Sequence, residues 1–481
     1  MSLTKDIKAF PRTFWVANSM ELFERWAYYG MFTVLSVYLT DPVSKGGLGF
    51  TQEQRGIMQA VVTAILYLLP IIGGAIADRF GFRKVLLAAF VTLASGYFAM
   101  GQFHAYAPVF IAFLVVAIGG AIFKPIIVGT VSKTTDKNTE TLGFGIFYMI
   151  VNIGGFIGPW AASKMRDINW TYVFIMCSMV IVVNLVLLFF YREPKRNITK
   201  KEPVLNALKQ ILTNTVTVLK DTRFVLFLVI IIGFWIMYMQ LFFTVPVYIA
   251  QWVDTTVIYN KLGFLQPVFG SVNEGTGMVR PEMMINIPAL TIIIFQVIMS
   301  GWMKNIGPVK TMVGGIFVVV IGLGQLYFHV NGWYVALSLV ILAFGEMASS
   351  PRIQEYISSI APPDKVGLYM GYSFLPLAAG NLIGGLLSGN LYGALSDKYS
   401  FLRDFLISNG YETAENIKDM DDGLLFKQSL AKLDMTTLEL NQLLYATYNP
   451  GEIWLIFGGI GIVTGVLLFL YNRFVLTNKA K

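Results

Sequence analysis

The chain has 481 residues, of which 56% are apolar and only 13% charged, with a mean hydropathy of +0.64; soluble domains carry roughly 25% charged residues, so this composition excludes one and predicts a polytopic membrane protein in contact with lipid. The net charge of +8 does not call for a nucleic-acid partner, because the basic residues cluster in particular loops, as orientation in a bilayer requires. One cysteine, Cys177, and two histidines, His104 and His329, leave neither a disulfide framework nor a metal site, and no cofactor is expected.

Lys5, Lys8 and Arg12 precede the first apolar run, which lacks a cleavage-type end and so predicts a retained helix. That run, 13–40, carries Glu21, Glu24, Arg25, Tyr28 and Phe32 on one helical side, while Phe23, Trp26 and Leu35 point elsewhere. A charge at the bilayer centre costs roughly 2.5–3.5 kcal/mol, so such residues pair and commonly mark a substrate or ion path. A purely structural ion pair is the competing explanation.

Further runs of spanning length fall at 53–76, 84–102, 107–131, 142–163, 171–191, 223–250, 283–303, 309–329, 333–360, 363–395 and 452–475, making twelve. The even number puts both termini on one side. Arg79, Arg83 and Lys84 after span two, Lys133 and Lys137 after span four, and the Arg192 to Lys220 cluster after span six lie on that side too. The positive-inside rule makes it the cytoplasm, in a cell (inner) membrane.

The organisation expected is a six-helix bundle over 1–191, an amphipathic linker over 192–222 with Leu205, Leu208, Ile211 and Leu212 on one face, a second six-helix bundle over 223–475 and a tail over 476–481. Gly74 to Lys84 after span two has a degraded echo in Gly301 to Lys310 after span eight. Such internal repeats build many secondary transporters, with the site at midplane. The first loop resembles the loop motif of the major facilitator superfamily, whose all-α fold of 12 helices in two bundles it implies; Asp78 and Arg83 are read as helix braces. Segment 396–450 predicts an external helical insert, with Leu424, Leu425, Leu430 and Leu433 and then a capping box at Thr436 and Glu439 before Leu443 and Leu444. The 251–282 segment is read as a long outside loop.

Other deep polar residues are few: Lys124 with Pro125 in span four, Tyr148 and Asn152 in span five, Asn286 in span eight and Glu346 in span ten. Snorkelling accounts for Lys124 and helix packing for Asn152 equally well when each is taken alone. Together, the two glutamates of span one offset Arg25 and Lys124, and Glu346 has no evident cation. An unpaired buried carboxylate takes a proton or awaits a cationic ligand. The second option suggests a peptide, its carboxylate against Arg25 and Lys124, its ammonium against Glu346, Asn152 and Asn286 on its backbone, and Tyr28, Tyr29 and Tyr67 as amphipathic walls.

The signature Glu21-x-x-Glu24-Arg25-Trp26-x-Tyr28-Tyr29-Gly30 resembles the span-one motif of the proton-dependent oligopeptide transporters, with Trp26 where Phe is usual. The resemblance continues through Tyr67, Gly120-x-x-x-Lys124-Pro125, Asn152-Ile-Gly154, Asn286-x-Pro288 and Glu346-x-x-x-Ser350-Pro351. It implies a proton-coupled importer of di- and tripeptides, not an enzyme, with Arg25, Lys124, Glu346, Asn152 and Asn286 binding substrate and Glu21 and Glu24 coupling to protons. The proton gradient would be its sole driving partner and a monomer its working unit. Two family charges are absent: Phe32 stands where an Arg is common and Met239 where an acidic residue is. The pair is read as an apolar gate between the halves. A drug or metabolite exporter of the same fold, or a sensor or assembly protein that no longer cycles, would account for the chain otherwise.

Overall fold

The computed structural model describes residues 10–136, 139–194, 218, 220–273, 275–303, 305–362 and 365–476. The expected linker leucines and the tail beyond Leu476 lie outside them. Among the described residues twelve long helical segments correspond to the expected spans. The first six are Arg12–Thr40, Gln52–Leu68 with Pro70–Phe80, Phe82–Gln102, Tyr106–Lys133, Glu140–Ile168 and Trp170–Phe190. Span seven comprises Thr222–Tyr238, Gln240–Phe243 and Val245–Trp252; spans eight to ten are Pro281–Met303, Pro308–Phe328 and Gly332–Ile360. Span eleven is Val366–Tyr372 with Leu375–Leu395, and span twelve is Glu452–Tyr471. Ten of these are apolar and long enough to cross a membrane on those grounds alone. Span one is held back by its charges, and span two by Glu53, Arg55 and the interruption before Pro70.

Spans one, five and six pack together, as do three with four and six; in the second half nine packs on ten and twelve, and seven on eleven and twelve. The halves meet through spans two and eleven, five and eight, and one with seven and eight. Under a six-plus-six repeat, two corresponds to eight and five to eleven, so the two main contacts are equivalent. Bundle symmetry is thus visible in packing.

Spans two and eleven approach backbone to backbone. A Cβ on Gly389 would lie 2.8 Å from the Gln52 carbonyl and 2.9 Å from the Gly56 Cα, and one on Gly385 would lie 2.8 Å from the Ala60 Cα. Small residues four apart on both helices allow this approach. Because span two begins and span eleven ends here, the contact lies at the end of the molecule far from the chain termini. We expect Gly389→Leu to fold, since each bundle keeps its own core, but to wedge this end apart; spin-label distances across the far end should lengthen, and unchanged distances would mean that the contact is not needed for closure.

At the turn after span two, Gly81 adopts φ 100°, a conformation that disfavours side chains. Arg83 is exposed and its side chain makes no ion pair among the described residues; the turn is braced by Glu193, whose carboxylate accepts the Phe82 amide at 3.0 Å. The Asp78 side chain lies outside the described set. At the far end the 251–282 segment is more ordered than a polar loop, with short helices and an antiparallel pair of strands, Ser271–Asn273 and Thr276–Met278, turning at Gly275.

The 396–450 insert folds as four helices, Lys398–Ser408, Ala414–Ile417, Asp422–Leu433 and Thr437–Tyr448, with the capping box at Thr436 and Glu439 formed. Leu425, Leu440 and Leu444 are buried whereas Leu424 is exposed, a shift of the apolar face by one position. The insert docks on the first bundle: Asp421 accepts from the Ser44 hydroxyl at 2.5 Å and its amide at 3.3 Å. Burial would raise the Asp421 pKa, but the bonds from Ser44 and from the Leu424 and Gly423 amides hold it below the usual range.

Candidate functional site

Span one brings Glu21, Glu24 and Arg25 into the interior one helical turn apart. Both carboxylates are buried. Arg25 donates from Nε to Glu24 at 2.6 Å and lies 3.3 Å from Glu21, while Lys124 of span four reaches the same Glu21 oxygen at 3.0 Å. The Arg25 guanidinium also lies 4.8 Å from the Tyr28 ring centroid and 5.8 Å from that of Tyr29, where the ring quadrupoles attract it. Tyr67 faces Tyr28 and Arg25 from span two. The expected cluster is therefore one connected unit of two acids, two bases and three tyrosines.

Accessibility separates the two cations. The Arg25 side chain is 12% exposed and pairs with both glutamates, whereas that of Lys124 is 38% exposed and donates once among the described residues. Lys124 is the more accessible cation and has donors to spare. Glu346, on span ten, lies beside the Tyr238 hydroxyl, with Tyr29 and Tyr148 of the first bundle facing it. Its Oε2 is buried without a hydrogen bond, and no cation is near it among the described residues. Cation and lone carboxylate thus sit on opposite bundles.

The two asparagines differ. Asn152 donates to the Tyr148 carbonyl of its own helix at 2.8 Å. Asn286 crosses the interface and donates to the Phe156 carbonyl of span five at 2.8 Å, leaving its own oxygen unpaired. Phe32 stacks on Tyr28 and meets the rings of Phe242 and Phe243 at 5.4 and 6.2 Å. Met239 is buried in the same core; the rings Phe32 meets lie three and four residues beyond it.

The far end is sealed by a polar network that the sequence reading missed. Pro246 has no amide proton to give the Phe242 carbonyl, and the Ser36 hydroxyl of span one fills that place at 2.8 Å. Arg55 of span two, wholly buried, donates to the Phe243 carbonyl at 2.5 Å, to the Ser388 carbonyl of span eleven at 3.1 Å, and to Gln52 and Gln59 of its own helix at 2.9 and 3.2 Å. The available signal was Gln52, Arg55 and Gln59 at i, i+3 and i+7, a polar helical face. Every hydrogen bond named here between the bundles uses the far halves of their spans. Near the termini, among the described residues, the bonds from Thr13 to the Arg192 carbonyl, from the Phe82 amide to Glu193 and from Tyr369 to Asp221 do not join one bundle to the other, so the cross-bundle hydrogen bonds named here gather toward the far end.

The Major Facilitator Superfamily model matches residues 15–270 and 255–408. The chain belongs to that superfamily. Two of its similar relatives are the dipeptide and tripeptide permeases B of Salmonella typhimurium (strain LT2) and Yersinia enterocolitica, each 24% identical over 79% of this chain and 86% of the relative. A solved POT family transporter in complex with 5-aminolevulinic acid superposes with a TM-score of 0.69 at 19% identity, covering 98% of this chain and all of that one. A nucleoside transporter superposes at 0.71 with 12% identity, covering 95% and 99%. At such identities the likeness establishes the fold, and two different substrates on one backbone mean that fold alone does not choose between them.

Proposed function

We propose that the protein is a proton-coupled symporter that imports di- and tripeptides by alternating access, oriented with both termini in the cytoplasm of the cell (inner) membrane and working as a monomer. The observation that carries this reading is the division of charge: a partly free ammonium at Lys124 on one bundle and a cation-free carboxylate at Glu346 on the other. A peptide has the complementary ends. The names of the permease relatives support the same substrate class. In this orientation the far end is outside, and the conformation is closed to the exterior.

The proton would ride on Glu21 or Glu24. In the empty site their charges are offset by Arg25 and Lys124; a peptide carboxylate competing for those cations leaves a glutamate uncompensated in a poorly solvated site, and a proton follows. Purified protein in liposomes should concentrate labelled dialanine when the outside is made acidic, and Glu24→Gln should abolish that accumulation while retaining exchange of internal for external peptide. Wild-type uptake no greater than in empty liposomes would remove the peptide reading, and Glu24→Gln that still accumulates on a pH difference alone would move the coupling site elsewhere.

A further inference from the structure

At the far end, Arg166 near the close of span five holds two carboxylates at once. Its Nη2 lies 3.0 Å from Asp41, the residue that ends span one, and its Nη1 lies 3.0 Å from Glu282 in the first turn of span eight. Asp41 and Arg166 belong to the first bundle and Glu282 to the second. The Arg166–Glu282 contact is therefore an ion pair across the line along which the bundles part, and Glu282 is wholly buried. Next to it Arg280 pairs with Asp167 at 2.7 Å, again joining the halves.

Breaking a buried ion pair is ordinarily prohibitive because each partner is left uncompensated. Here Arg166 would not be stranded, and parting the bundles would bring water to Glu282, whose Oε1 already lacks a hydrogen-bond partner among the described residues in the closed form. Arg166 keeps Asp41 and lies 4.1 Å from the Trp170 ring centroid, both within its own bundle. Glu282 stands at a helix N-terminus, where free amides and the helix dipole favour a negative charge. Lys45, Arg280 and Lys398 also face Asp41 but make no ion pair with it among the described residues.

We propose that Arg166 is the pivot of the outer gate: it engages Glu282 when the bundles close and is carried back by Asp41 when they separate. Glu282 thus supplies closing strength and Asp41 makes opening affordable, so neutralising the two acids has opposite effects. Glu282→Gln removes the bond made only when closed and shifts the population toward the open far end. Asp41→Asn leaves the cross-bundle pair intact but deprives Arg166 of its retreat, and shifts the population toward the closed form. This rests on alternating access alone and needs no particular substrate.

The test is a distance measurement between spin labels on the exposed far-end residues Ile168 and Phe264, each changed to Cys, with Cys177 replaced by Ser. Full-length protein in lipid nanodiscs is measured alone and with each acid neutralised. The expected result is at least a fivefold rise in the long-distance population for Glu282→Gln and a fall below wild type for Asp41→Asn, with Arg166→Gln resembling Glu282→Gln. Shifts of the two acid variants in the same direction, or distributions unchanged from wild type, would overturn the proposal. Should wild type have no measurable open population, the fall is read in the Gly389→Leu background, where the same signs are required.

Discussion

Glu346→Ala is expected to lower the affinity for a dipeptide with free termini by at least about a hundredfold, and Lys124→Ala by about tenfold or more. Removing the partner of a buried charge costs about 3–5 kcal/mol, and about 1.4 kcal/mol is a factor of ten. Glu346 has a buried oxygen and no competing cation among the described residues, so the full figure applies to a peptide ammonium paired with it. Lys124 is 38% exposed, and water screens part of its contribution. Neither substitution should unfold the protein: Glu21 keeps Arg25 at 3.3 Å when Lys124 is lost, and Glu346 anchors no helix through an ion pair. Calorimetric binding with capped ligands separates the roles. A dipeptide amidated at its carboxyl end should bind wild type more weakly yet be little affected further by Lys124→Ala, while an N-acetylated one should be insensitive to Glu346→Ala. Equal affinities for free and capped dipeptides would show that the two poles do not read the peptide ends.

Most of the architecture was legible because a bilayer enforces it: spans need about 20 apolar residues and all backbone groups paired, so the runs at 84–102 or 452–475 leave little choice. The charged helix was legible for the complementary reason, since Glu21, Glu24 and Arg25 violate the same rule and need a site to excuse them. Interface polarity was harder to read. Arg55 sits near the end of its apolar run and passes for an interfacial anchor, and only the arrival of the Phe243 and Ser388 carbonyls from distant spans reveals it as buried. Arg166, Asp41 and Glu282 likewise lie at span ends, where charges are ordinary. Gate residues are identified by partners in the other bundle, information that periodicity within one helix does not contain. The expectation of an apolar gate at Phe32 and Met239 said nothing of the Arg55 hydrogen bonds to the Phe243 and Ser388 carbonyls.

Arg55→Met is expected to open the far end. In apolar replacements of buried ion pairs the partners are usually exchanged as well, and the result is often neutral. Two of the Arg55 partners are backbone carbonyls, of Phe243 and Ser388, which no side-chain change can remove. The Ser388 carbonyl keeps the amide of its own helix, Leu375–Leu395, and Gln59 keeps the Ser36 hydroxyl at 3.3 Å, so Met leaves chiefly the Phe243 carbonyl and Gln52 short of a donor, each costing about 1–3 kcal/mol when left dry. Reorientation of the glutamine amides recovers some of this, so we take about 3 kcal/mol as the net loss. The penalty falls on the closed form, because parting the bundles lets water reach the carbonyls. A change of that size shifts the closed-to-open ratio by more than a hundredfold. Ser388→Cys in a Cys177→Ser background provides the readout: residue 388 is wholly buried now and should react with an external membrane-impermeant thiol reagent at least tenfold faster once Arg55 is replaced by Met. Phe32→Ala should loosen closure less and leave proton dependence intact, since the ring contacts with Phe242 and Phe243 do not titrate and the carbonyl bonds of Arg55 survive. If the thiol introduced at position 388 stays as protected in Arg55→Met as before, the closed end is held by backbone packing of spans two and eleven and not by the arginine network.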